Sequence, residues 1–324
     1  MSTDLAETGP AGSGPAKVLF AAPDRLWADY REVLPAALAE AGVAAELSRA
    51  HPPGDVDWIV HAPGPAPLDF SPFTRAKGVL SLWAGVEGIT ANPTLRIPLA
   101  RMVDDGLRQG MVEWVLGHAL RHHLGTDGQV LRQDGVWRRA APKLARDRPV
   151  AVLGLGELGL AAALALSAVG FPVTGWSRQP KEVPGLARCL SGRDGLDAAL
   201  EGAEIVVLLT PLTRHTENLM DAARLARLAP GAVLLNPGRG ALIDDAALLA
   251  ALDEGRLAHA TLDVFRVEPL PPDHPFWAHP KVTVTPHVAA ETRPASAARV
   301  IAENVRRGQA GEPLLHLVDR KAGY

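Results

Sequence analysis

The sequence predicts an α/β fold made of two parallel-sheet domains, and three observations carry that expectation. Short apolar runs of strand character alternate with longer helical runs from Lys17 onward. The length, 324 residues, is enough for two domains with sizeable cores. A glycine-rich turn, Gly154-Leu155-Gly156-Glu157-Leu158-Gly159, follows one apolar run and opens a helical one.

Taken in order, MSTDLAETGPAGSGPA is rich in Gly, Pro and Ser and reads as a disordered tail over residues 1–16. It lacks the basic-then-apolar pattern of a signal peptide. KVLFAA, DWIVHA and GVLSLW read as three strands, with RIPLARM a candidate fourth. MVEWVLGHALRHHL, Met111 to Leu124, reads as the helix leaving this first unit. The second unit is denser in strand signals: PVAVLGLG, FPVTGW, EIVVLLT, GAVLLN, HATLDVF and KVTVTP. LAAALALSAVG, ENLMDAARLARL and DDAALLAALDEG read as helices between them, the last with acids at its dipole-positive start. LPPDHPFWAHP, Leu270 to Pro280, has no periodicity and reads as a surface loop. ETRPASAARVIAENVRRG reads as a final helix with Gly308 beyond its end.

Composition narrows the function classes. A net charge of −3 gives no footprint for nucleic acid or a membrane surface as partner. No apolar run is long enough to span a bilayer. The single cysteine, Cys189, cannot pair within the chain, which fits a reducing compartment; a cytoplasmic protein is the expectation. His118 and His122 stand four apart, a spacing that chelates metal only with further ligands, and no HExxH motif or Cys/His cluster accompanies them. No metal is expected.

The glycine-rich turn has a direct chemical reading. In a strand–turn–helix context Gly154 permits the tight turn, Gly156 lets backbone approach a pyrophosphate, and Gly159 lets the helix pack closely. The N–H groups of Gly156, Glu157 and Leu158 and the helix dipole then face the phosphates. The expected unit is a Rossmann-like dinucleotide-binding domain. Twenty-three residues after Gly154, where an acid commonly holds the ribose 2′-hydroxyl, stand Ser177 and Arg178, in GWSRQPK. An acid would repel a 2′-phosphate; a serine hydroxyl and a guanidinium would bind one. NADP(H) is therefore expected in preference to NAD(H), without excluding the latter.

With these residues the chain resembles the D-isomer-specific 2-hydroxyacid dehydrogenases, and especially the bacterial glyoxylate/hydroxypyruvate reductases. GLGELG, LLTPLTRHTENLM, LLNPGRGALIDDAALLAAL, ATLDVFRVEPLPPDHPFWAHPKVTVTPH and VAAETRP carry the resemblance, dense from Val150 to Pro294 and thinner before Met111. It implies a discontinuous, flavodoxin-like substrate domain over 17–110 and 290–324, with the dinucleotide-binding domain, 111–289, inserted. It also implies a homodimer and a catalytic set of Arg239 in NPGRG, Glu268 in VEPLP and His287 in TPH. The chemistry is coherent. An Arg fork suits a carboxylate beside a carbonyl, a protonated His is the general acid at the oxygen where alkoxide character builds, and a carboxylate beside it favours its charged form. Taken singly, each would read as an ordinary turn, loop or strand-end residue; the ordered trio after a dinucleotide motif does not.

Other positions keep two readings. Asp263 resembles the family's contact to the nicotinamide amide, or caps a turn. Thr210 and Pro211 line the cofactor side, or turn the chain; Asn236 serves a turn near the nicotinamide. In SLWAGVEGI the N–H groups of Ala84 and Gly85 are candidates for the substrate carboxylate, and Trp83 shapes that pocket or is core. Trp137 resembles a loop tryptophan that reaches a substrate site in some relatives, sometimes from the partner subunit; otherwise it is a surface residue. The expected activity is NADPH-dependent reduction of glyoxylate and hydroxypyruvate. The same trio also serves phosphoglycerate and phosphite dehydrogenation, for which Arg75, Lys77 and Arg96 would be the basic residues to place. A nucleotide-sensing corepressor keeps the trio too, though such proteins add a partner-binding tail, and here little chain follows the last helix.

Overall fold

The computed structural model describes residues 14–64 and 66–320. The chain divides into two compact units, one from 1–103 with 294–324 and one from 104–293. Most of the expected tail lies outside the described residues; its last residue, Ala16, already pairs in a strand.

The first unit is a five-stranded, wholly parallel sheet. Its elements are β1 (Ala16–Ala21), α1 (Asp24–Tyr30), α2 (Val33–Glu40), β2 (Ala45–Ser48), β3 (Trp58–His61), β4 (Gly78–Ser81), α3 (Glu87–Thr90) and β5 (Leu99–Ala100). Strand order is β2-β1-β3-β4-β5, the flavodoxin-like order. β3 and β4 are buried at every position, as a sheet covered on both faces requires. Only two residues of RIPLARM pair, and the short edge strand AELS gave no sequence signal.

The second unit holds α4 (Asp105–Leu124), α5 (Thr126–Leu131), β6 (Val150–Leu153), α6 (Glu157–Val169), β7 (Val173–Ser177), β8 (Arg188–Ser191), α7 (Gly192–Leu200), β9 (Ile205–Leu208), α8 (Ala222–Leu225), β10 (Ala232–Asn236), α9 (Asp245–Asp253), β11 (Leu257–Leu262) and β12 (Val282–Val284). Its seven parallel strands run β12-β11-β10-β9-β6-β7-β8. The order reverses between β6 and β9, the switch point outside which open α/β sheets bind ligands. Two apolar layers, one on each face, bury the central strands.

The last helix, α10 (Pro294–Gln309), returns to the first unit and packs on α2. It starts at Pro294, three residues later than the sequence suggests, because proline suits a first helical position. Gly308 lies inside it rather than beyond it. A Cβ there would stand 2.1 Å from the Trp58 ring, so this glycine serves close packing.

Two more expectations need correction. α4 begins at Asp105, not Met111, because the Asp104 carboxylate accepts the Leu107 N–H at 2.7 Å and caps it six residues upstream. ENLMDAARLARL is mostly not helical. Asn218 has φ 51°, Met220 bridges to Ile243, and only Ala222–Leu225, capped by Asp221, completes a turn of helix.

Candidate active site

The glycine-rich turn joins β6 to α6 as expected, and each glycine has a distinct reason. Gly154 has φ +107°, and a Cβ on it would lie 2.5 Å from the Leu209 carbonyl. A Cβ on Gly159 would lie 1.8 Å from the Gly154 oxygen, so α6 can approach the strand only with glycine there. A Cβ on Gly156 would meet no protein atom within 4 Å. Its bareness is therefore not set by the protein's own packing and suits close approach of a phosphate. No side chain caps α6, leaving its first-turn N–H groups, those of Glu157 and Leu158 among them, available to an anion. Thr210, buried after β9 beside Gly154, has a side-chain oxygen with no hydrogen-bond partner, and the Pro211 carbonyl accepts from Thr216 at 2.7 Å.

Ser177 ends β7, and its hydroxyl donates to the Gln179 carbonyl at 2.6 Å. Arg178 next to it is exposed. Lys181, which belongs to no motif read in the sequence, donates to the Leu155 carbonyl at 2.7 Å, so its ammonium lies on the glycine-rich turn.

The expected catalytic residues stand on three loops at the ends of β10, β11 and β12. Asn236, fully buried, builds the first loop. Its Nδ2 donates to the Arg239 carbonyl at 2.9 Å, and its Oδ1 accepts from Gly238 N–H at 3.2 Å. Both ends of the amide are thus engaged in the turn. Arg239 follows, half-buried, with Nη1 donating to the Gly238 carbonyl at 2.7 Å. Gly240 then lies directly on the next loop: a Cβ would be 2.0 Å from the Phe265 carbonyl carbon and 2.4 Å from Arg266 N. Arg266 strengthens the junction by donating to Asn218 Oδ1 and the Ile243 carbonyl, with Asp245 3.5 Å away.

Glu268 sits on that second loop. Its Oε1 accepts from Phe265 N–H at 2.8 Å, and its Oε2 meets His287 Nδ1 at 2.7 Å. The third loop is held by Asp263, which is fully buried. Asp263 Oδ1 accepts from Thr285 Oγ1 at 2.5 Å and Val288 N–H at 3.0 Å, and Oδ2 from Ala289 N–H at 2.9 Å. Its carboxylate caps the segment carrying His287. His287 takes φ 56°, a left-handed conformation rare for histidine, which these bonds fix in place.

Electrostatics follow from the pair. The hydrogen bond that His287 donates to Glu268 raises the His287 pKa; burial opposes it, the Glu268 charge adds to it, and the Arg239 charge lowers it. Burial pushes Glu268 upward, yet its bonds from His287 and Phe265 and the charges of His287 and Arg239 hold it below the usual range. The Arg239 charge is felt at both partners, so the three side chains share one electrostatic neighbourhood. The pairing thus favours the imidazolium–carboxylate form of the two side chains, in the field of the Arg239 guanidinium.

In the first unit, the Trp83–Gly85 loop is pinned by Ser81, whose hydroxyl donates to the Trp83 carbonyl at 2.9 Å and accepts from Trp83 N–H at 3.1 Å. Among the described residues, the N–H groups of Ala84 and Gly85 have no acceptor. Trp83 is half-buried. Arg75 is paired with Asp57 at 3.1 Å. In the second unit Trp137 is 91% exposed. His118 and His122 face the sheet, and His122 Nε2 lies 2.9 Å from Thr261 Oγ1. Among the described residues no group of three or more His, Cys, Asp or Glu is arranged for a metal, and no helix is long and apolar enough to cross a membrane.

Comparison with known proteins gives a consistent result. Residues 114–289 match the family described as D-isomer specific 2-hydroxyacid dehydrogenase, NAD binding domain. Glyoxylate/hydroxypyruvate reductase A of Serratia proteamaculans is 42% identical over 258 residues, 77% of this chain and 82% of that protein. A D-isomer specific 2-hydroxyacid dehydrogenase from Xanthobacter autotrophicus, solved with NADPH and MES, superposes with TM-score 0.87 at 41% identity, covering 96% of this chain and all of that one. An NADPH-dependent glyoxylate/hydroxypyruvate reductase from Sinorhizobium meliloti, solved with NADP and sulfate, gives 0.84 at 35% identity, over 95% of this chain and all of that one. With its glycine turn, its NAD-binding domain and relatives matched over most of their length, the chain belongs to the D-isomer specific 2-hydroxyacid dehydrogenase family.

Proposed function

We propose that this enzyme reduces small 2-keto acids, glyoxylate and hydroxypyruvate foremost, to 2-hydroxy acids with NADPH. The observation that carries the reading is the Glu268–His287 pair at 2.7 Å within the field of Arg239. Bound in the second unit, the nicotinamide cofactor supplies a hydride. The three bare positions of the glycine turn, the uncapped start of α6 and the unpartnered Thr210 oxygen fit such a group.

The chain's own residues do the rest. Arg239 binds the substrate carboxylate and carbonyl oxygen through its planar fork and so fixes which face of the keto carbon is presented. His287 donates the proton that the new alkoxide needs. Because Nδ1 is engaged by Glu268, the proton leaves from Nε2. Glu268 holds the ring in that orientation and keeps it charged until transfer. In the first unit the acceptor-free N–H groups of Ala84 and Gly85 suit a carboxylate, which supports reading that unit as the substrate domain. Asp263 and Asn236 enter as supports of the loops, not as groups that touch the reacting atoms.

The reading includes a homodimer. Leu124, Val130, Leu131, Val136, Trp137 and Leu144, all more than half exposed and all within residues 124–144, are apolar side chains that a second copy would cover, with Trp137 the largest. Light scattering of the purified protein tests this. The activity test is NADPH oxidation against a panel of 2-keto acids. Arg239→Lys keeps the charge but loses the fork, so KM for glyoxylate should rise and kcat fall, each about tenfold or more. Unchanged constants would remove Arg239 from the substrate site. Tight NADPH binding with no turnover of any keto acid would replace the enzyme by a nucleotide sensor.

A further inference from the structure

We propose that Trp114, on α4, is a positioning residue for the general acid: its indole N–H, acting through Thr285 and Asp263, holds the segment that carries His287. This rests on the reading of His287 as proton donor and adds a residue that does not touch substrate.

His287 needs support from outside its own segment. Its φ of 56° is one that side chains rarely hold unaided, and residues 285–290 belong to no strand or helix. Asp263 supplies the anchor by accepting from Thr285, Val288 and Ala289. Two of these donors are backbone N–H groups with fixed directions. The third is a hydroxyl, whose hydrogen rotates to suit its neighbours.

Trp114 removes that freedom. An indole N–H only donates. Trp114 Nε1 donates to Thr285 Oγ1 at 3.3 Å, which leaves the hydroxyl hydrogen to go to Asp263 Oδ1 at 2.5 Å. The chain from indole to hydroxyl to carboxylate therefore has one polarity. Hydrogen bonds in such a chain strengthen one another, and the last is charge-assisted.

Trp114 and Thr285 are 171 residues apart in sequence, and the face of α4 brings them together. Gly110 lies one turn before Trp114 on the same face. A Cβ on Gly110 would stand 3.1 Å from the Ala289 carbonyl oxygen, so the helix lies close against the segment there too. One helix face thus meets the segment on both sides of His287: Trp114 before it and Gly110 after it. One turn further on, the His118 ring packs on Trp114 with centroids 4.4 Å apart and backs the indole.

The rival explanation is plain packing, since Trp114 also lies against the apolar layer that α4 shares with α6. Packing is a matter of ring area, whereas the proposal makes the N–H decisive. Glyoxylate reduction by the full-length enzyme at saturating NADPH separates the two. Trp114→Phe keeps a ring and removes the donor. Its kcat should fall about three- to tenfold, the scale of one hydrogen bond, with KM for glyoxylate changed by less than about twofold. Thr285→Val keeps the shape but cuts the chain at the carboxylate, so a loss of about ten- to hundredfold is expected. Thr285→Ser restores a hydroxyl and should recover most of it. Adding Trp114→Phe to Thr285→Val should cost nothing more, because the chain is already cut. Thermal denaturation checks that each variant is folded. Wild-type kcat in Trp114→Phe overturns the proposal and leaves the keto-acid reading standing. So does a double variant in which the two losses multiply in full, or a serine variant no better than valine. A wild-type protein that turns over no keto acid overturns both.

Discussion

The second unit holds histidines in two opposite electrostatic settings. His287 faces Glu268, and the carboxylate raises its pKa against the pull of burial. Across the sheet, His122 and His259 stack with ring centroids 4.8 Å apart, bonded to Thr261 and Thr283. Burial above all, helped for His122 by the charges of His259 and Arg121 and for His259 by that of Arg121, and opposed by Asp127, brings His122 down to about 3 and His259 to about 4. His118, on the same helix face, is also lowered by burial. The first setting favours the charged imidazolium; in the second His122 and His259 are neutral at neutral pH. Partner chemistry, more than burial, decides whether a half-buried histidine is an acid or a spacer.

The sharpest test of this contrast is to remove one histidine from each setting. His287→Gln is expected to lower kcat/KM for keto-acid reduction by about 10²–10⁴-fold, the usual range for a general acid. His122→Gln should change it by less than about threefold, because Thr261 is its partner and no proton is exchanged there. Similar losses in the two variants would break the distinction.

The next effect tests whether the charged setting depends on its scaffold. In Gly240→Ala a methyl group would be forced to 2.0 Å from the Phe265 backbone, pushing the Arg239 and Glu268 loops apart. A displacement on the order of an ångström is expected to cost about 10²-fold in kcat/KM. Steady-state kinetics on a variant shown to be folded measures it; a loss below about threefold would mean the loops are not coupled through this contact.

A smaller effect isolates the carboxylate. Reduction needs the imidazolium, so its rate falls as pH rises through the raised pKa of His287. Glu268→Gln removes the charge and most of the cause of that rise. The alkaline limb of kcat/KM should move to lower pH. A limb that stays in place would mean another group donates the proton.

The smallest effect belongs to the neutral setting. Where a folded-state pKa lies below the unfolded value, the unfolded chain binds more protons, so stability falls as pH drops through the interval between the two. For His122 and His259 that interval runs from about 6.5 down to about 3 and about 4. The melting temperature should therefore fall between pH 7 and pH 5, and His122→Gln with His259→Gln should shallow that slope by about a few degrees. Neighbouring His118, His279, Asp127 and Arg121 stay in place in the variant, so only these two protons are read.

How much of this was legible beforehand follows from sequence distance. Gly154, Gly156 and Gly159 act within one turn, and the order of Arg239, Glu268 and His287 is readable as a pattern. Asp263 could be read only in part, because its three donors lie 22 to 26 residues on. Gly240 has no signal of its own in NPGRG, because its reason is a backbone 25 residues away. Lys181 looked like a loop charge until its contact with Leu155 was seen. The edge strands β2 and β8 escaped because AELS and RCLS are short and partly polar; pairing with one neighbour, not apolar content, makes them strands.

The return of α10 to the first unit bears on how the protein is made. β1 to β5 leave the ribosome first, but Trp58 waits for Gly308, and Ala100 for its bridge to Leu317, until some 200 further residues have been translated. The unit over 104–293 is continuous and has all its strands before α10 exists. Synthesis thus inverts the order of completion: the segment born first matures last, with the apolar surface that α10 covers exposed meanwhile. A nascent chain stalled near residue 293 should carry a protease-resistant second unit and a first unit still open to cleavage and chaperone capture.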